Sequence, residues 1–152
     1  MTRAGIGIGA NSGDARTNVV VAIDALGRLG TLVARSRLYR TKPWGKTDQP
    51  DFVNAAAIIE TALTPRELLD GLKQLETELG RTPGARWGPR VIDLDILFYG
   101  DVQLDQPGLR IPHPRLHERA FALIPLAEID SRYAEAAAAL PAAEREGVEA
   151  NP

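Results

Sequence analysis

From residue 92 to residue 98 the chain runs Ile-Asp-Leu-Asp-Ile-Leu-Phe, and that alternation leaves few ways to fold it. Ile92, Leu94, Ile96 and Phe98 fall on one face of a strand at period two, and that face is apolar. Asp93 and Asp95 share the other face, with Cα atoms about 7 Å apart by strand rise. Charges that close repel unless a cation sits between them. A half-exposed strand with a polar face accounts for one aspartate. It fits a pair poorly, because Asp is depleted in strands. The pair therefore reads as a divalent-cation site. Mg²⁺ commonly takes one or two carboxylates plus substrate phosphates. Immediately upstream, Arg86-Trp87-Gly88-Pro89-Arg90 brings two guanidinium forks suited to phosphate. One short segment holds the parts for handling a metal-bound polyphosphate.

Composition narrows the classes around that segment. The 152 residues suffice for one domain with a real core. A net charge of −2 offers no general nucleic-acid or membrane surface, so any cationic patch is local. The absence of cysteine removes disulfides, thiolate zinc sites and cysteine nucleophiles together. The first residues lack a sustained apolar segment of signal-peptide kind, and no apolar run approaches a membrane span. The cytoplasm is the expected compartment.

Along the chain, residues 4–10 read as a glycine-rich strand, followed by a turn at residues 11–14. Val20, Ile23, Leu26 and Leu29 recur at helical spacing, and Gly30 closes that helix. Residues 31–41 alternate as a second strand. A loop over residues 42–51, with two prolines, has the length of a functional loop. Residues 52–61 form a third strand. Thr64, Pro65 and Glu67 make a strong helix start, and Leu68, Leu72, Leu75 and Leu79 run down one face of that helix. The order is β-α-β-β-α-β, which predicts an α+β, ferredoxin-like antiparallel sheet with two helices on one face. A small strand is expected at residues 102–104. A third helix through Leu116, Ala120, Phe121 and Ile124 is expected to stop near Pro125, adding a C-terminal helical extension. Residues 1–130 are expected to be a single catalytic domain. Residues 131–152, alanine-rich and acidic, are expected to form a weak helix or be disordered.

Arg-Trp-Gly-Pro-Arg followed by Asp-Leu-Asp-Ile closely resembles the signature of 6-hydroxymethyl-7,8-dihydropterin pyrophosphokinases, enzymes of folate biosynthesis. Gly9-Ala10-Asn11 is similar to that family's first-strand turn. Tyr39-Arg40-Thr41 and the stretch from Gln49 to Asn54 are similar to its pterin-side segments, and Pro112-His113-Pro114-Arg115 with Arg119-Ala120-Phe121 to its final motif. The resemblance ends near Ile129. It implies transfer of the terminal pyrophosphate of ATP to the pterin hydroxymethyl group, leaving AMP. It implies two Mg²⁺ ions as cofactor, bound by Asp93 and Asp95. The implied nucleotide side comprises Glu76, Arg81, Arg86, Trp87, Arg90, Ile96, His113 and Arg119. The implied pterin side comprises Thr41, Trp44, Phe52, Asn54, Trp87 and Phe121, with Trp87 on a lid loop over both substrates. Arg81, Arg86, Arg90 and Asp95 are the implied catalytic residues. ATP and a pterin are the expected partners of a monomer, with no nucleic acid and no membrane. Three departures stand out: Ala10 replaces a frequent Ser, residues 82–85 lack an arginine some members carry, and Phe52 stands where many have Tyr.

Blander and rival readings bear on the same residues. Trp87 also suits a core indole, His113 a loop histidine fixed by its proline neighbours, and Glu76 a solvated helix face. His117 is expected on the surface. Gly5, Gly7 and Gly9 do not have dinucleotide-loop spacing. An RNA-binding sheet would need stacking aromatics on its first and third strands, and only Phe52 qualifies. A regulatory domain of the same fold would have no use for paired aspartates beside an arginine-rich loop. Another Mg²⁺-dependent nucleotide or phosphoryl transferase with a different small acceptor is the alternative.

Overall fold

The first strand sorts its residues by size. In β1 (Thr2–Ala10), Ala4, Ile6, Ile8 and Ala10 are buried on one face, while Gly5, Gly7 and Gly9 line the other. The computed structural model describes residues 1–42, 50–80 and 92–150. β1 pairs antiparallel with β4 (Phe52–Thr61) on one flank and with β5 (Asp93–Tyr99) on the other. Beyond β4 lie β2 (Thr31–Arg35) and β3 (Tyr39–Thr41), both antiparallel to it. This is the ferredoxin-like order expected from β-α-β-β-α-β. The expected single strand over residues 31–41 is two, broken where Ser36 Oγ takes the Ala56 N–H at 2.9 Å in place of a regular ladder contact.

Helices α1 (Ala15–Ala25) and α2 (Pro65–Glu78) cover the Ile6 and Ile8 face. α2 begins where its chemistry says it should. Glu67 N donates to Thr64 Oγ1 at 3.2 Å, and Thr64 N donates back to Glu67 Oε1 at 2.9 Å. α1 stops at Ala25 and a 3₁₀ turn over Leu26–Arg28 follows, so the expected close at Gly30 comes earlier; Gly30 is required instead by packing, since a Cβ there would stand 2.3 Å from the Glu60 carbonyl oxygen. A two-stranded hairpin, β6 (Leu104–Gln106) and β7 (Leu109–Ile111), turns through Pro107 and Gly108, the latter at φ +73°. The expected strand at residues 102–104 thus starts at Leu104.

α3 (Ala120–Ile129) covers the opposite, glycine face of the sheet. It does not stop at Pro125, which is buried inside it. A proline within a helix costs about 3 kcal/mol. Leu123 and Leu126, both fully buried against the sheet, offset that loss. Phe98 also departs from expectation. The β1–β5 register slips between Gly5 and Ile6, so that Gly5 faces Phe98 while Ile6 faces Ile96, and Leu97 is the extra residue. The bulge turns Phe98 to the α3 side, where its ring stacks on Tyr133 at 5.9 Å; Tyr99 takes its place against α1 and α2. Gly5 makes the turn possible, since a Cβ there would stand 2.3 Å from the Phe98 ring.

Residues 131–150 run as a 3₁₀ turn, α4 (Ala134–Ala138), α5 (Ala142–Glu146) and β8 (Val148–Ala150). β8 pairs antiparallel with β3, and Leu140 and Val148 are buried in the α3-side core. Among the described residues, no helix is long and apolar enough to cross a membrane.

Candidate active site

Two rows of the sheet make the floor of the site. Gly9 pairs with Asn54 on one side and Asp93 on the other; Gly7 pairs with Ala56 and Asp95. Residues opposite one another in a ladder point to the same face. Both aspartates therefore share the α3 face with Asn54, over a middle strand that offers no side chains to obstruct them. A Cβ on Gly9 would stand 2.8 Å from Asn54 Oδ1. Both aspartates are half-buried. Their backbone is tied from the other side of the sheet. Leu94 N, between them, donates to Glu76 Oε2 at 2.8 Å. Glu76 is 5% exposed, so it does not lie on a solvated helix face.

Two clefts meet at Asp95. One, of about 570 Å³, is the more polar of the two and lies beyond the β5 edge, lined by Asp95, Ile96, Asp105, Arg110, His113 and Leu69 among others. The other, of about 250 Å³, lies over the sheet and is lined by Gly9, Thr41, Lys42, Phe52, Asn54, Asp93, Asp95, Arg119 and Phe121. Phe52 and Phe121 supply aromatic surface to the second, and Asn54 supplies a buried amide whose Nδ2 donates to Thr41 Oγ1 at 3.1 Å. The Arg119 guanidinium lies 5.7 Å from the Phe121 ring centroid, and this arginine lines the slot where it meets Asp93, Asp95 and His113.

His113 is anchored by its N–H to the Leu97 carbonyl at 3.0 Å, and its Nδ1 accepts from Arg115 N at 3.2 Å. Burial pushes its pKa below the ordinary value; the Arg119 and Arg115 charges lower it further, against an opposing pull from Asp93. A neutral ring with Nδ1 accepting carries its proton on Nε2, as a donor. His117 is exposed, its ring 6.2 Å from that of Tyr133.

The structure thus brings together Asp93, Asp95, Ile96, His113 and Arg119 with Thr41, Phe52, Asn54 and Phe121. Arg81, Arg86, Trp87, Arg90 and Trp44 lie outside the described residues. Sequence reasoning missed Gly7 and Gly9 as a cleared floor, Lys42 in the slot and Arg110 in the cleft. Strictly alternating glycines in a strand were the available signal for the first, since Gly there marks close approach. Nothing local distinguished Lys42 or Arg110 from surface cations. Among the described residues no group of three or more His, Asp or Glu side chains could hold a metal alone. A pair of half-buried carboxylates suits Mg²⁺ completed by phosphate and water.

The 7,8-dihydro-6-hydroxymethylpterin-pyrophosphokinase (HPPK) family model matches residues 5–131. A Methylorubrum extorquens protein named 2-amino-4-hydroxy-6-hydroxymethyldihydropteridine pyrophosphokinase is 49% identical over 131 residues, 85% of this chain and 83% of its own. A Pseudomonas aeruginosa protein of the same name is 46% identical over 129 residues, 84% of this chain and 80% of its own. The fold is similar to that of wild-type Plasmodium falciparum HPPK-DHPS crystallised with SDX-DHP. There the TM-score is 0.65 at 16% identity, over 85% of this chain and 40% of that longer one.

Proposed function

The chain belongs to the 7,8-dihydro-6-hydroxymethylpterin-pyrophosphokinase family, and from that membership we propose how its two clefts divide the reaction. The enzyme transfers pyrophosphate to the hydroxymethyl group of 6-hydroxymethyl-7,8-dihydropterin, a step of folate synthesis. ATP is the donor and occupies the polar cleft; the pterin occupies the apolar slot. The meeting of the two clefts at Asp95, with Asp93 beside it, carries this reading.

In the slot, Phe52 and Phe121 offer faces to a flat bicycle, and Asn54 offers an amide to its amide-like rim. In the cleft, His113 donates from Nε2 to phosphate oxygen, with Ile96 and the side of Glu76 next to the nucleotide. Arg119 reaches the phosphates from the junction. Arg81, Arg86 and Arg90 are assigned to the transferred group, and Trp87 and Trp44 to closing over the pterin. Asp93 and Asp95 would hold the Mg²⁺, expected as two ions. Bound there, Mg²⁺ would neutralise charge on the transferred group. The pterin hydroxyl oxygen bonds to the β-phosphorus as the bond from that phosphorus to the α–β bridging oxygen breaks. AMP leaves with the bridging oxygen, and the hydroxyl proton is released. Asp95, common to both clefts, is the side chain assigned to the reacting atoms. Residues 1–130 are assigned as one catalytic domain, acting as a monomer in the cytoplasm.

Incubation with ATP, Mg²⁺ and the pterin tests the reading. The expected nucleotide product is AMP. ADP in its place would mean transfer of a single phosphoryl group and a different enzyme.

A further inference from the structure

The segment beyond residue 131 lies outside the stretch that the family model matches, yet it ends paired with the strand that carries Thr41. β3 is only three residues long, and Thr41 is its last residue. Short strands at a sheet edge open readily. Here β8 closes that edge: Val148 pairs with Thr41, Glu149 with Arg40 and Ala150 with Tyr39. Val148 is 9% exposed and belongs to the α3-side core, so the pairing has a packed anchor. Arg40 extends the tie, reaching Glu149 at 3.4 Å and Asp51, the neighbour of Phe52, at 3.7 Å.

Thr41 in turn sets Asn54. Its Oγ1 takes Nδ2 of the amide at 3.1 Å, which leaves Oδ1 over Gly9. A further cleft, of about 1180 Å³, runs beside the slot and shares Thr41, Arg119 and Phe121 with it; its far wall is Pro141, Glu144 and Val148. The C-terminal segment thus bears on the slot in two ways: β8 pairs with the strand that carries Thr41, and the segment walls the cleft beside the slot.

We propose that this segment is a positioning wall for the pterin: β8 holds Thr41, Thr41 turns the Asn54 amide, and the amide so turned meets the pterin rim. The inference rests on the assignment of the slot to the pterin. It adds a specificity element supplied by the C-terminal segment.

The test compares the full chain with Val148→Asp, which unseats β8, and with Thr41→Val and Thr41→Ser, which remove or keep the hydroxyl. Pterin KM and Kd, ATP KM, kcat and circular dichroism are read for each. Val148→Asp and Thr41→Val are expected to raise pterin KM and Kd about tenfold, the scale of one buried hydrogen bond. Thr41→Ser is expected to stay near wild type, and ATP KM to move by less than about twofold in every variant, below the scale of such a bond. Unchanged pterin KM in folded Val148→Asp overturns the proposal. So does an equal rise in both KM values, which would mark general loosening. If Val148→Asp does not fold, Val148→Ala decides by the same split between substrates. Failure of the wild-type chain to make AMP would sink the assigned reaction itself, a different result from normal turnover with unresponsive variants.

Discussion

The Leu94 backbone N–H donates to the Glu76 carboxylate at 2.8 Å, tying helix α2 to the one residue that separates Asp93 from Asp95. A strand-edge amide that would otherwise seek a ladder partner is satisfied by a buried acid. Through it, the helix on one face of the sheet anchors the backbone beneath two carboxylates on the other. Glu76→Leu should leave that N–H unpaired and cost about 1–3 kcal/mol in denaturant unfolding. Glu76→Gln, which keeps an acceptor oxygen, should cost less. Equal stability of Glu76→Leu and wild type would mean that the tie contributes nothing.

Asp93→Asn and Asp95→Asn should abolish turnover while the circular dichroism spectrum survives, because both side chains lie on the half-buried face away from the Leu94 and Ile96 core. Each should also weaken Mg²⁺-dependent ATP binding by calorimetry. Turnover at the wild-type rate in either variant would remove that residue from the metal site.

Gly9→Ala should act on the slot from its floor, through Asn54. The added Cβ would meet Asn54 Oδ1 at 2.8 Å, and the amide would have to turn away from Thr41. Pterin affinity should fall by about 1–3 kcal/mol, the effect also expected of Asn54→Ala, with ATP binding nearly unchanged. Matching effects on the two ligands would show a distorted sheet instead.

Glu128 gives the stability profile an acid limb. Burial pushes its pKa up, but hydrogen bonds from the Tyr39 hydroxyl and from Arg37 outweigh that and hold it below the ordinary value. A carboxylate with a depressed folded pKa contributes stability that is present above the unfolded value, about 4.3. That contribution is lost as pH falls through the folded value. Urea midpoints should therefore fall below about pH 4.3, and Glu128→Gln should flatten that part of the decline. Parallel curves for the two proteins would assign the limb to other groups.

Much of this was legible from local pattern. The alternation at residues 92–98 placed Asp93 and Asp95 on a common face, and Thr64 with Glu67 marked the start of α2, because both signals act within a few residues of backbone geometry. The spacing of apolar segments was enough for the order of the sheet. Other features depend on partners remote in sequence. Phe98 left its expected face because Gly5, on a strand more than ninety residues earlier, makes room for its ring across a bulge. Pro125 stays helical because burial of Leu123 and Leu126 outweighs one missing backbone bond. The glycines of β1 resemble a weak strand until Asn54, Leu97 and Phe98 are laid over them. The alanine-rich segment finds its place at the β3 edge through Leu140 and Val148. Period and capping are properties of neighbouring residues and can be read along the chain. Close approach and shared burial are properties of surfaces that exist only once distant segments have packed.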